Sequence, residues 1–166
     1  MSLRRTVGVM VGCAAMAVLS GCSLLTNLGD SPRDADKSIT ASAAIEATSL
    51  RAGDCLVSTE LSDSFTEVPG VPCTQAHDAE ITYLFDMPDG DYSQEDMSAA
   101  AEQECATAAE TYLGPNWQTV NGGDIDTNWF YPSSESWTAG DREITCLVYT
   151  PSGDLSLTDT VRGAGQ

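Results

Sequence analysis

The sequence predicts an α+β domain: a small, mainly antiparallel sheet with one main helix, tied by two disulfides. Three observations carry this. Strand-like segments come first, one helical segment follows, and strand-like segments return, an order that sets a helix against an antiparallel sheet. Only the stretch around residues 93–113 shows a sustained apolar stripe at helical spacing. Four cysteines lie in the part expected to fold, Cys55, Cys73, Cys105 and Cys146. The length of 166 residues suits one domain with appendages.

The N-terminus is an address. Arg4 and Arg5 precede an apolar run from Val7 to Leu19. That run is too short for a membrane span, which takes ~20 residues, and fits the apolar region of a secretory signal. It ends in Leu19-Ser20-Gly21-Cys22, which resembles the lipobox of bacterial lipoproteins. The resemblance implies a signal peptide over 1–21, with Cys22 as the new N-terminus and its thiol carrying the lipid, palmitate among its acyl chains. The expected location is the outer face of the cell membrane. Residues 22–50, rich in Ser, Thr, Asp, Asn and Ala and without an aromatic, read as a flexible tether. The domain is expected over 51–160, with a C-terminal tail at 161–166.

Within the domain, Asp54 to Thr59 reads as a short strand with Cys55 and Val57 on one face. Phe65 to Val71 returns antiparallel, interrupted by Pro69-Gly70. Glu80 to Met87 is a stronger strand in which Ile81, Tyr83 and Phe85 alternate with Thr82, Leu84 and Asp86. Pro88-Asp89-Gly90-Asp91 breaks the chain. Ser93 is a good helix N-cap, with Asp96 three residues on and Glu95 beside it at the positive end of the helix dipole. Met97, Ala101, Cys105, Ala108 and Tyr112 form the predicted buried stripe, and Gly114-Pro115 ends the helix. Ile125 to Tyr131, Arg142 to Tyr149 and Leu155 to Val161 read as the closing strands, the second placing Ile144, Cys146 and Val148 on one face.

With Cys13 in the leader and Cys22 acylated, an even number of cysteines outside the cytoplasm implies disulfides. Three pairings are open. Cys55–Cys73 is favoured because consecutive short strands bring the two together, leaving Cys105–Cys146 to join helix and strand. No CxxC is present, and the nearest of these cysteines are 18 residues apart. Zinc knuckles place ligands two to four residues apart, so no metal is expected.

Charge excludes some functions. The chain has 25 acids against 7 Lys plus Arg, and a formal charge of −18. Removing the leader takes Arg4 and Arg5 and no acid, leaving −20. Such a surface repels phosphate, so no nucleic acid is expected as partner. His77 is the only histidine, and it stands close to Asp78 and Glu80. A general base oriented by a carboxylate would use those residue types. The sequence shows no GxSxG elbow and no second histidine, which favours a structural role for His77 in a turn. Asp89, Asp91, Glu95 and Asp96 do not match the ligand ladder of an EF-hand, and capping accounts for the last two. Trp129, Phe130, Tyr131 and Trp137 place four aromatics in nine positions. Most would be core of a small sheet, while Trp129, Tyr131 and Trp137 are the candidate binding surface.

Three pieces in order resemble the septum formation domain family of actinobacterial envelope proteins. They are Gly53-Asp54-Cys55-Leu56, then Val71-Pro72-Cys73-Thr74-Gln75-Ala76-His77-Asp78-Ala79-Glu80-Ile81, then Pro132 followed by Trp137-Thr138-Ala139-Gly140-Asp141-Arg142 and Cys146-Leu147. Ala76 stands where that family often has Pro. The resemblance covers about residues 51–160 and supports disulfides at the four cysteines. It implies a role in septum formation or cell division, and carries over no catalytic residue and no cofactor. The expectation is a non-enzymatic binding or scaffolding module whose partners are envelope or division proteins or cell-wall glycan. The alternative is an envelope hydrolase or accessory enzyme using His77 with Asp78 or Glu80.

Overall fold

The structure, a computed structural model, describes residues 32–61 and 65–166. The leader, Cys22 and the first part of the expected tether lie outside the described residues. Six strands form one antiparallel sheet: β1 (Ala43–Glu46), β2 (Cys55–Leu56), β3 (Glu67–Val71), β4 (Ala79–Asp86), β5 (Asp126–Phe130) and β6 (Glu143–Tyr149), in the spatial order β1-β3-β2-β4-β6-β5. One long helix, α1 (Gln94–Leu113), lies on one face, and a short helix, α2 (Ser134–Thr138), precedes β6. This is the α+β arrangement expected, with both disulfides formed.

The two faces of β6 divide the core. Ile144, Cys146 and Val148 meet α1, while Leu147 faces away. Because both faces are covered, the strand is buried from Ile144 to Val148 rather than in alternation. Ala109, Tyr112 and Leu113 pack with Val148, Ile125, Leu157 and Val161, and Met97, Ala101 and Cys105 pack with Ile144, Cys146 and Trp137. On the opposite face Ile45, Leu56, Val68, Ile81 and Leu147 form a second layer. The sheet curls to enclose it. Phe65, just before β3, meets Phe130 of the far edge strand β5 edge-on, their ring centroids 4.8 Å apart. Right-handed twist accumulated over six strands brings the two ends of the sheet toward each other.

The helix starts as its sequence dictates. Ser93 Oγ accepts the Asp96 N–H at 3.2 Å, and Glu95 and Asp96 occupy the first turn. Its buried stripe runs through Ala109 and Leu113 rather than Ala108, because steps of four residues keep the stripe over the sheet along a 20-residue helix. Gly114 has φ +116°, and a Cβ there would come within 2.7 Å of the Gly165 carbonyl carbon. A glycine is therefore needed both for the backbone turn and for the close approach of the C-terminal segment.

Five further expectations are corrected. Residues 32–50 are not a tether: β1 pairs with β3, and Ile39, Ile45 and Leu50 are buried. Their apolar content is slight, yet the three large aliphatic side chains all reach the core. Pro69-Gly70 lies inside β3 and does not interrupt it. The Pro69 carbonyl accepts the Val57 N–H, so the missing Pro69 donor points where β2 has already ended. A Cβ on Gly70 would lie 2.6 Å from Ile45 Cδ1, so Gly70 gives Ile45 its place across the sheet. The alternation in β4 breaks at Thr82, the extra residue of a bulge, since Ile81 pairs with Leu147 and Tyr83 with Cys146. Ile81 therefore does not share a face with Tyr83 and Phe85. Residues 155–161 form no strand, and their only β pairing is the bridge between Leu157 and His77. Residues 161–166 are not a loose tail: Val161 is buried, and the Gly165 N–H bonds the Leu113 carbonyl.

Cys55–Cys73 fastens β2 to the segment following β3, and Cys105–Cys146 fastens α1 to β6. Both pairs have Cα atoms 5.2 Å apart, well inside disulfide reach.

Candidate functional site

The segment from Cys73 into β4 holds the polar residues that chemistry would use, and the fold buries them. Pro72 to Gln75 form a turn closed by the Gln75 N–H on the Pro72 carbonyl. His77 then exchanges two backbone hydrogen bonds with Leu157, which carries its ring inside. The ring is completely buried. Its Nδ1 lies 2.7 Å from the Gln75 carbonyl, and since a carbonyl only accepts, Nδ1 carries the proton. Nε2 is buried with no hydrogen-bond partner among the described residues.

The two carboxylates beside it are acceptors for structure. Asp78 takes the N–H groups of Ser58 and Thr59 and the Ser58 hydroxyl, which caps the 3-10 turn at Ser58–Glu60 from across the sheet. Glu80, with no exposed surface, takes the Tyr112 hydroxyl at 2.5 Å, the Thr160 hydroxyl at 2.6 Å and the Val161 N–H at 2.7 Å. Burial, and then the charge and hydrogen bond of Glu80, push the Tyr112 phenol well above its ordinary range, so it remains a donor. The Arg162 guanidinium lies 4.1 Å over the Tyr112 ring. Neither Asp78 nor Glu80 is hydrogen-bonded to the imidazole. The sequence groups no ligand-type residue with His77 beyond its neighbours. The fold nevertheless brings a His77 ring nitrogen, Cys55 Sγ and a Glu80 oxygen within 4.8 Å of one another. In the oxidised protein Cys55 is committed to its disulfide.

The aromatic candidates separate. Trp137 is buried and is corrected from surface to core: its Nε1 donates to the Gly90 carbonyl at 3.0 Å, and Arg142 stacks 4.0 Å over its ring. It holds the 89–92 loop against β6. Trp129 is half-buried against the Met97–Cys105 cluster. Tyr131 is 39% exposed, its hydroxyl accepting from the Gln94 amide. Sequence alternation misses Tyr83, which the bulge turns outward to 45% exposure, stacked on Phe85.

An open groove of about 600 Å³ lies at the end of β4 and the start of β6, lined by Asp86, Asp89, Asp141, Arg142 and Glu143 among others. Arg142 Nε is 3.3 Å from Asp89 Oδ1, but Asp89 is almost fully exposed and the pair contributes little. Partial burial, then Asp86 and Asp141, raise the Glu143 carboxyl above its ordinary value. Among the described residues no helix is long and apolar enough to cross a membrane.

A family model described as septum formation matches residues 20–146, well over half of the chain. The match takes in both disulfides, His77, Glu80 and the aromatic segment. No curated protein and no solved structure matches the chain.

Proposed function

The chain belongs to the septum formation family, and from that premise we propose that it is a non-enzymatic binding or scaffolding module of the cell envelope, lipid-anchored through Cys22. It serves septum formation or envelope assembly on the outer face of the cytoplasmic membrane. Its partners are envelope or division proteins or cell-wall glycan. A formal charge of −20 after leader removal supports a lipid tether over electrostatic adhesion, since anionic headgroups repel such a body.

The observation favouring binding over hydrolysis is the contrast in exposure. His77, Asp78 and Glu80 are at most 1% exposed, and both carboxylates accept from backbone and hydroxyl donors rather than from the imidazole, whereas Tyr83 and Tyr131 stand at the surface. Exposed aromatics supply rigid contact area for a sugar ring or a protein side chain. Affinity capture from intact envelope tests the reading. Tyr131→Ala or Tyr83→Ala should reduce what is captured while the melting temperature stays within about 2 °C of wild type, as befits surface substitutions. A hydrolytic activity of the purified protein that His77→Ala abolishes without loss of stability would install the enzyme alternative instead. For the anchor, Cys22→Ala should abolish acyl incorporation and leave the precursor uncleaved. Normal acylation of that variant would overturn the assignment.

A further inference from the structure

The orphaned nitrogen of His77 sits in a corner built like a metal site with its sulfur ligands tied together. The histidine holds its Nδ1 proton on the Gln75 carbonyl and leaves Nε2 as the nitrogen available to a ligand. Metal-ligating histidines characteristically use one nitrogen on the metal and the other on a backbone carbonyl. Glu80 is oriented by three donors, yet its Oε2 takes only the Val161 N–H and keeps a lone pair. Cys55 Sγ completes a triplet of ligand atoms within 4.8 Å of one another, and Cys73 Sγ is bonded to it.

We propose that reduction of Cys55–Cys73 by a dithiol turns this corner into a zinc-type metal site, held by both cysteine sulfurs, His77 Nε2 and a Glu80 oxygen. Tetrahedral zinc with ligand distances of ~2.0–2.3 Å needs neighbouring ligand atoms roughly 3.3–3.8 Å apart. The triplet therefore closes by about 1 Å, and the severed sulfur bond supplies the freedom to do so. Two soft thiolates select zinc-like ions over magnesium or calcium.

The chemistry balances. A thiolate of the dithiol attacks Cys73 Sγ, the protein S–S bond breaks, and Cys55 leaves as thiolate. The second dithiol sulfur resolves the mixed disulfide and frees Cys73. The dithiol is oxidised to its disulfide, its two electrons and two protons giving two protein thiols. Metal binding then displaces those two protons to solvent. Access makes the reaction selective: Cys73 is half-buried, whereas Cys105 and Cys146 are both fully enclosed.

The test uses the full-length chain in detergent with Cys13→Ser and Cys22→Ser, so that only the four domain cysteines remain. The chain is reduced with a phosphine, desalted without oxygen and titrated with cobalt(II). The reduced protein should take one cobalt per chain, with a thiolate-to-cobalt charge-transfer band and the intense visible absorption of a tetrahedral ion. Its near-UV circular dichroism should stay native, and the oxidised protein should give neither band. His77→Gln should weaken binding by at least about tenfold, and Tyr112→Phe, which removes one donor from Glu80 and keeps the ring, by about tenfold. Absence of the tetrahedral spectrum in the reduced protein would overturn the proposal. So would a spectrum that appears only once the native dichroism is lost, or equal affinity in Tyr112→Phe. That second variant decides the matter should His77→Gln not fold.

Discussion

Glu143 shows how one side chain makes stability depend on pH. Burial and two neighbouring acids raise its carboxyl above 4.5 in the folded protein. Between its unfolded and folded values the native state binds the extra proton, so this residue's contribution is favourable at low pH and is lost as pH rises through the folded value. Glu143→Gln should therefore raise the melting temperature at pH 7 and leave it unchanged near pH 4; an equal gain at both would refute the cause. Arg33 makes the opposite case, a charge whose removal is costly. It pairs with Asp54 through two hydrogen bonds of 2.5 and 2.8 Å, with side chains only 8% and 2% exposed. Arg33→Ala strands a buried carboxylate and should cost about 3–5 kcal/mol, read by denaturant unfolding. His77→Ala opens a cavity and releases the Gln75 carbonyl, and should lower the melting temperature by a few degrees.

At the level of elements, β1 is the least legible part of the fold and one of its supports. It covers the edge of β3 and delivers Ile45 to the core beneath Gly70. A chain truncated before residue 51 loses Ile39, Ile45 and Leu50 together. Each fully buried aliphatic side chain contributes ~1.5–3 kcal/mol, so three approach the whole stability of an ordinary domain. The truncated domain should be unfolded or aggregated by circular dichroism and size exclusion, where a true tether would be dispensable. Gly70→Ala should act through the same contact, since its new methyl and Ile45 cannot share the space, and should cost about 1–3 kcal/mol.

For the molecule as a whole, charge and cross-links oppose each other. Only Arg51, Arg142 and Arg162 follow residue 50, against 21 acids. Self-repulsion on that scale is screened by salt: the Debye length falls from ~30 Å at 0.01 M to ~8 Å at 0.15 M. Melting temperature should accordingly rise over that range. The disulfides, which close loops with sequence separations of 18 and 41, are each worth ~3–4 kcal/mol by loop entropy. Without reductant the four domain cysteines should resist alkylation; labelling of any of them would remove this framework.

Local chemistry by itself determined a good deal here. Ser93 and Gly114 mark the ends of α1 because capping involves only neighbouring residues. The alternation of Ile144, Cys146 and Val148 places them toward the helix, and cysteine parity with strand proximity reaches both disulfides. The sequence pattern also carries the family, through short ordered motifs. What only the tertiary structure decided depends on partners distant in the chain. β1 is a strand because β3 needs an edge partner, and its own composition announces nothing. Tyr83 is at the surface and Ile81 in the core because one extra residue, Thr82, enters the β4–β6 register. Trp137 is core because Gly90 and Arg142 close over it. His77 meets Cys55 and Glu80 because β2 pairs with β4, setting Cys55 opposite Glu80, and His77 stands just before β4. Periodicity and capping act over a few residues, where the chain's own geometry sets the answer. Edge pairing, bulges and buried polar corners are settled by groups tens of residues apart, whose free energies appear only when the chain has folded.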